Sequence, residues 1–157
     1  MALYMNINGI AGDVTESNHQ GWIKLNFMQF HLSRDRKIES GCANSRCGSA
    51  PVFQDVELTK HLDAASTKLF QHACQGDVLP SVEIQACHAG ASMSCYAKYV
   101  FHNVMMTHYS PALSTSANET LRLSFTQVET TYTGRDESNR ATAPQSAAYD
   151  LVQAQIA

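Results

Sequence analysis

Several stretches of this chain alternate with period two, and that alternation constrains the fold more than any other feature. Leu3, Met5 and Ile7 alternate with Tyr4, Asn6 and Asn8; Val82, Ile84 and Ala86 form a second run, and Leu121, Leu123 and Phe125 a third. Successive side chains of an extended strand point to opposite faces, so each run offers one apolar face to a core. Trp22 to Phe30 adds a run with Ile23, Leu25 and Phe27 on one face, and Val52 to Lys60 adds one with Val56 and Leu58 together. Phe53 has the opposite parity, which predicts a bulge near Gln54-Asp55, because one extra residue flips the alternation. The Leu121 run continues to about Tyr132 with a phase shift through Val128. The expected fold is mainly β.

One helix interrupts the strands. Ser66 is its expected N-cap, Gly76 its C-cap, and Pro80 prevents it from resuming. Leu69, Phe70, Ala73 and Cys74 form its apolar stripe, so Cys74 is expected to be a small core residue. So short a helix is stable only when packed on the sheet.

The strand from about Met93 to His108 is apolar on both parities. Met93, Cys95, Ala97, Tyr99 and Phe101 share one, while Val100, Val104 and Met106 share the other. Such a strand is wrapped in a barrel or covers a partner with its outer face. Facing Cys87 with Cys95 would oppose Ile84 to Lys98 and Glu83 to Tyr99. A shift by one residue brings Glu83 near Lys98 and Ile84 to Tyr99, a better match of polarity. That register predicts no Cys87–Cys95 disulfide.

Composition limits the function. The 157 residues carry a formal net charge of −3, with 44% hydrophobic and 16% charged residues, which suits one globular domain and gives no overall basic footprint for nucleic acid. No run approaches the ~18 apolar residues of a membrane helix, and the N-terminus lacks the pattern of a signal peptide, so cytoplasmic folding without membrane insertion is expected. Five cysteines, an odd number, argue against a disulfide framework. Cys42 and Cys47 form C-x4-C downstream of His31, yet a second ligand pair at zinc-site spacing is missing, leaving two thiols in a surface loop. The seven histidines (His19, His31, His61, His72, His88, His102 and His108) show no H-x3-H or H-E-x-x-H spacing. Cys87 and His88, adjacent on a strand, point apart. No catalytic motif emerges, and no cofactor is implied.

His31 to Pro51 has little periodicity, yet lies between two strands. Its Arg34, Arg36, Lys37 and Arg46 outnumber Asp35 and Glu39, so it carries about +2 against the chain's −3. A loop this long in a compact domain generally has a use, here an arm that docks on another subunit; the alternative is a disordered surface insertion.

The order of these segments resembles the Hcp proteins, the inner-tube proteins of type VI secretion systems. The likeness runs through Y-M-N-I-N-G-I-A-G-D-V-T-E (Tyr4 to Glu16), H-Q-G-W-I (His19 to Ile23), F-Q-D-V-E-L-T-K (Phe53 to Lys60) and D-A-A-S-T-K-L-F (Asp63 to Phe70). It continues in V-E-I-Q-A-C-H-A-G (Val82 to Gly90), Y-A-K-Y-V-F-H-N-V (Tyr96 to Val104) and Y-S-P (Tyr109 to Pro111). The resemblance implies a two-sheet β-barrel with a flanking helix and a long extended loop between the second and third strands. It implies hexameric rings that stack into a tube expelled by a contractile sheath, with effectors carried in the lumen and secretion without a signal peptide. The partners would be further copies of the chain, sheath and spike components, and effector cargo, and no catalysis is implied. The loop, with Arg34, Arg36, Lys37, Cys42, Arg46 and Cys47, would make the ring-stacking contact; Val100, Val104, Met106 and Tyr132 would make the lateral one. The C-x4-C and the high Cys and His counts depart from the family pattern and leave open redox cross-linking between rings or a metal in the loop. Residues 1–134 are expected to form the barrel domain, and 135–157 a polar, flexible tail. The rivals are a β-barrel that binds a small ligand and a Cys/His metalloenzyme.

Overall fold

The structure, a computed structural model, describes residues 1–35, 49–88, 94–138 and 140–156. The early strands are β1 (Ala2–Ile7), β2 (Ile23–Leu25), β3 (Phe27–Gln29), β4 (Leu32–Ser33), β5 (Val52–Phe53) and β6 (Val56–His61). One helix, α1 (Ser66–Gln75), precedes β7 (Val78–His88) and the long β8 (Ser94–Ala112). The chain ends with β9 (Asn118–Ser124), β10 (Gln127–Tyr132), β11 (Gln145–Asp150) and β12 (Gln155–Ile156). A small β4–β5 ribbon forms a second sheet. In the main sheet β1 pairs with β2, the chain continues through Asn26 into β3, and the ladders run β3–β6–β9–β8–β7 back to β1. The strands thus wrap one core, into which Met5, Ile23, Leu58, Ile84, Phe101 and Leu121 are fully buried. Phe30, Phe101 and Phe125 meet largely edge to face within it.

The strands stay amphipathic only by changing phase at defined points. The chain breaks at Gln54-Asp55, as the parity of Phe53 requires, so Phe53 and Val56 both turn toward the core. A similar break at Asn26, whose N–H donates to Thr59 O, turns Phe27 outward and brings Met28 in, so Phe27 does not share the face of Ile23 and Leu25. The third break corrects the two-sided reading of β8. Asn103 has φ +49°, and Pro80, opposite it in the register, has no N–H to donate. Both strands change phase there, so Phe101, Val104 and Met106 all face the core, as do Leu79 and Val82.

The predicted β7–β8 register holds for Ile84, which lies opposite Tyr99, while Lys98 reaches diagonally to Glu83 at 2.9 Å. The predicted absence of a disulfide does not hold. Ala86 opposes Ala97, but Cys87 opposes Cys95, Tyr96 being one extra residue on β8, and a disulfide joins the two cysteines. A bulge lets one hairpin satisfy both registers, which a uniform ladder cannot.

Two further expectations change. α1 packs a narrow stripe of Ser66, Leu69 and Ala73, so Phe70 lies 56% exposed against Tyr109 and Cys74 is exposed rather than in the core. Gly76 does close the helix, at φ +68°, donating its N–H to His72 O, but Ser66 lies inside the first turn and Ala65 holds the cap position. The tail, in turn, joins the sheet. β11 pairs with β10 over six residues and β12 with β11, and Tyr149 and Leu151 pack against the core. A bare β10 edge would expose a row of unpaired backbone groups, and the tail covers it.

Candidate assembly surfaces and a buried polar cluster

Of the residues predicted for ring stacking, Arg34 is exposed beside the ribbon, whereas Arg36, Lys37, Cys42, Arg46 and Cys47 lie outside the described residues. The ribbon pairs Leu32 with Phe53 and Ser33 with Val52, which fixes where the arm leaves the body. Asp35 N–H donates to Ser49 Oγ at 3.0 Å, tying the two ends of the arm together. Leu32 and Val52 expose more than half of their surface there, beside Arg34. Next to them lies a groove of about 370 Å³ lined by Phe30, Phe53, Val128 and Tyr149, with Ile156 at its rim.

The four residues predicted for the lateral contact are not brought together. Val104 and Met106 are in the core. Tyr132 has the parity of core-facing Val128 but extends past the core and is exposed. Val100 lies on the other face of the sheet, directly between Glu83 and Glu129. That face carries a Lys98–Glu83 ion pair and a hydrogen bond between His102 Nε2 and Glu129 Oε1 at 2.8 Å, and is charged rather than apolar. Elsewhere, Val78 and Met105 form an exposed apolar cross-strand pair.

Sequence reasoning missed the main polar feature of the interior. Lys60 and Glu119 oppose each other across β6 and β9 and are both 0% exposed. Lys60 Nζ lies 2.5 Å from Glu119 Oε2 and 2.8 Å from Asp63 Oδ1, and donates to His61 O and Ser66 Oγ. Ser66 Oγ donates to Glu119 Oε2 at 2.9 Å, and Tyr109 OH donates to Glu119 Oε1 at 2.5 Å. Burial and the neighbouring carboxylate push the Tyr109 phenol up to about 12. The cluster pins the start of α1 to β6, β8 and β9; with each charge paired, its work is positional. A signal was present: Lys60 continues the inward parity of Val56 and Leu58, and Glu119 that of Leu121 and Leu123.

Buried side chains such as Met5, Ile23, Phe101 and Leu121 fill the space between the strands. No helix among the described residues is long and apolar enough to cross a membrane. No curated protein matches the chain. Solved structures do. One, a type six secretion system protein, superposes with a TM-score of 0.91 at 21% identity, covering 99% of both chains. Hcp1 from Salmonella typhimurium gives 0.79 at 20% identity, covering 99% of this chain and 98% of its own. A type VI secretion system effector from Yersinia pestis gives 0.76 at 21% identity, covering 94% and 98%. The sequence also matches the family described as type VI secretion system effector, Hcp, over residues 4–132, and the chain therefore belongs to the Hcp family.

Proposed function

We propose that this Hcp chain, a structural tube subunit of a type VI secretion system, works as a six-membered ring that stacks on further rings and leaves the cell with the tube. The observation that carries this reading is the family match over residues 4–132, together with a fold shared over nearly the whole chain. Ring closure needs two different patches that meet head to tail. The exposed Val78–Met105 pair and Tyr132 supply apolar surface for it, in place of the buried Val104 and Met106. Val100 belongs instead to the charged face of β7, β8 and β10, which stays favourable in water and suits a lumen that carries effector cargo. The arm, entered through exposed Leu32, Val52 and Arg34, makes the stacking contact. Its basic character against an acidic body favours contact between like subunits while leaving it weaker in salt. Sheath and spike components are the tube's partners in the machine.

Analytical ultracentrifugation of the purified chain tests the ring. A hexamer at micromolar concentration is expected, with Met105→Glu lowering the assembly state and Lys98→Glu leaving it unchanged; a monomer throughout overturns the reading. Deleting Gly41 to Ser49 leaves hexamers and abolishes tubes, as seen by electron microscopy. Loss of hexamers in that deletion removes the arm from the stacking role.

A further inference from the structure

The Cys87–Cys95 disulfide does not stand alone. His19, 3% exposed, comes from the loop between β1 and β2 and directs Nε2 at both sulfurs, 3.9 Å from Cys87 Sγ and 3.7 Å from Cys95 Sγ. Its other nitrogen, Nδ1, donates to Glu16 Oε2 at 2.7 Å, since a carboxylate can only accept. Tyr4 stacks on the imidazole at 4.5 Å and Trp22 meets it edge-on at 4.8 Å, which fixes the ring plane. Gln85 Oε1 lies 3.0 Å from Nε2, its amide turned that way because Gln85 Nε2 donates to Glu83 Oε1 at 2.6 Å. One nitrogen, two sulfurs and one neutral oxygen therefore converge on a single point, buried at His19 and Cys87 and half-buried at Cys95 and Gln85.

We propose that His19, Cys87 and Cys95 form a redox-gated metal site: a disulfide when oxidised, and a pocket for a zinc-class divalent ion when reduced. A small dithiol of the kind that keeps cytoplasmic thiols reduced supplies two electrons and two protons. The Cys87–Cys95 bond breaks, two S–H groups form, and the dithiol becomes a disulfide. A divalent ion then displaces the two thiol protons and binds both thiolates and the Nε2 lone pair. Two thiolate charges cancel the ion's, so the filled site is neutral, as its burial requires. Tetrahedral zinc, with bonds of about 2.0 Å to nitrogen and 2.3 Å to sulfur, sets the N···S separation near 3.5 Å, close to the spacing already present. Gln85 Oε1 is the oxygen placed for the fourth position. Glu16 plays the part of the outer carboxylate that orients a ligating histidine and raises its basicity. None of this depends on ring assembly.

The test uses the full-length chain with Cys42, Cys47 and Cys74 changed to Ser, so that the other thiols cannot contribute. Reduced anaerobically with a phosphine and freed of it, this chain is titrated with Co²⁺. One equivalent giving thiolate-to-cobalt charge-transfer bands, displaced by Zn²⁺, is expected, and the oxidised chain should give none. Cys95→Ser abolishes the bands. Glu16→Gln, at a side chain partly open to solvent, keeps the fold by circular dichroism and weakens binding about 10–100-fold. No uptake by the reduced chain, uptake equal in the oxidised chain, or uptake indifferent to Cys95→Ser or Glu16→Gln overturns the proposal.

Discussion

The Lys60–Glu119 cluster and the His19–Cys87–Cys95 cluster are built on the same sheet and buried to similar depth, but their polar atoms are differently served. Around Lys60 the charged atoms meet hard partners of opposite character at 2.5–3.1 Å. Around His19 the nitrogen facing the interior has one oxygen, Gln85 Oε1 at 3.0 Å, and two sulfurs at 3.7 and 3.9 Å, which are weak partners. The first arrangement is closed, and its contribution is where it puts α1. The second leaves donors converging on a point, which is the condition for binding chemistry. Burial of a charged or titratable group therefore does not itself mark a site; the quality of its partners does.

The sharpest way to break this contrast is to unbalance the closed cluster. Glu119→Leu leaves the Lys60 ammonium buried beside Asp63 alone, and a loss of about 3–5 kcal/mol in urea unfolding is expected. Adding Lys60→Met removes the stranded charge and regains most of that loss. If the double variant is no more stable than Glu119→Leu, the pair is not acting as a unit. The disulfide comes next. Its sequence separation of 8 closes a short loop, so replacing both cysteines by Ala costs at most about 2.5 kcal/mol in the oxidised protein. Zn²⁺ added to the reduced wild type restores part of that stability by binding only the folded state, whereas the Ala variant gains nothing. Thermal melts with and without Zn²⁺ read the difference directly.

The legible part of this molecule was the part written in period two. The break at Gln54-Asp55 followed from the parity of Phe53, and Gly76 closed its helix as its residue type suggests. What escaped were places where two strands change phase together. Asn103 and Pro80 keep β7 and β8 in register while turning both over, so counting parity along β8 alone made Val104 and Met106 look outward. Tyr96 is an extra residue of the same kind, invisible unless one allows two registers in a single hairpin. The tail was misjudged on composition: Ser146, Ala147 and Ala148 carry little strand signal, yet pairing with β10 needs only backbone. Lys60 and Glu119 carry inward parity, but their charge hides that signal in a pattern defined by apolar residues. The His19 cluster had no local signal; three separated segments meet only in the fold.

The smallest expected effect sharpens the contrast further, because it asks how much one hydrogen bond matters inside the closed cluster. Tyr109→Phe removes the donor to Glu119 Oε1 without creating a cavity, and about 1.5 kcal/mol is expected at neutral pH, the lower range for a bond to a charged group. Its pH dependence carries a definite sign. The folded phenol titrates at about 12 against 10.0 for the free group, so the folded state holds its proton more tightly. The Tyr109 contribution is therefore fully present below pH 10 and is lost as pH rises through 12. Wild type and Tyr109→Phe should differ by a constant amount from neutral pH to about 10 and converge above it, as measured by urea midpoints across that range. A constant difference that persists through pH 12 would mean that neither burial nor Glu119 raises the phenol, and that Lys60 and Ser66 hold the carboxylate without it. The same series run on Cys87→Ala/Cys95→Ala should run parallel to wild type in that window, because the Lys60 and His19 clusters share no side chain.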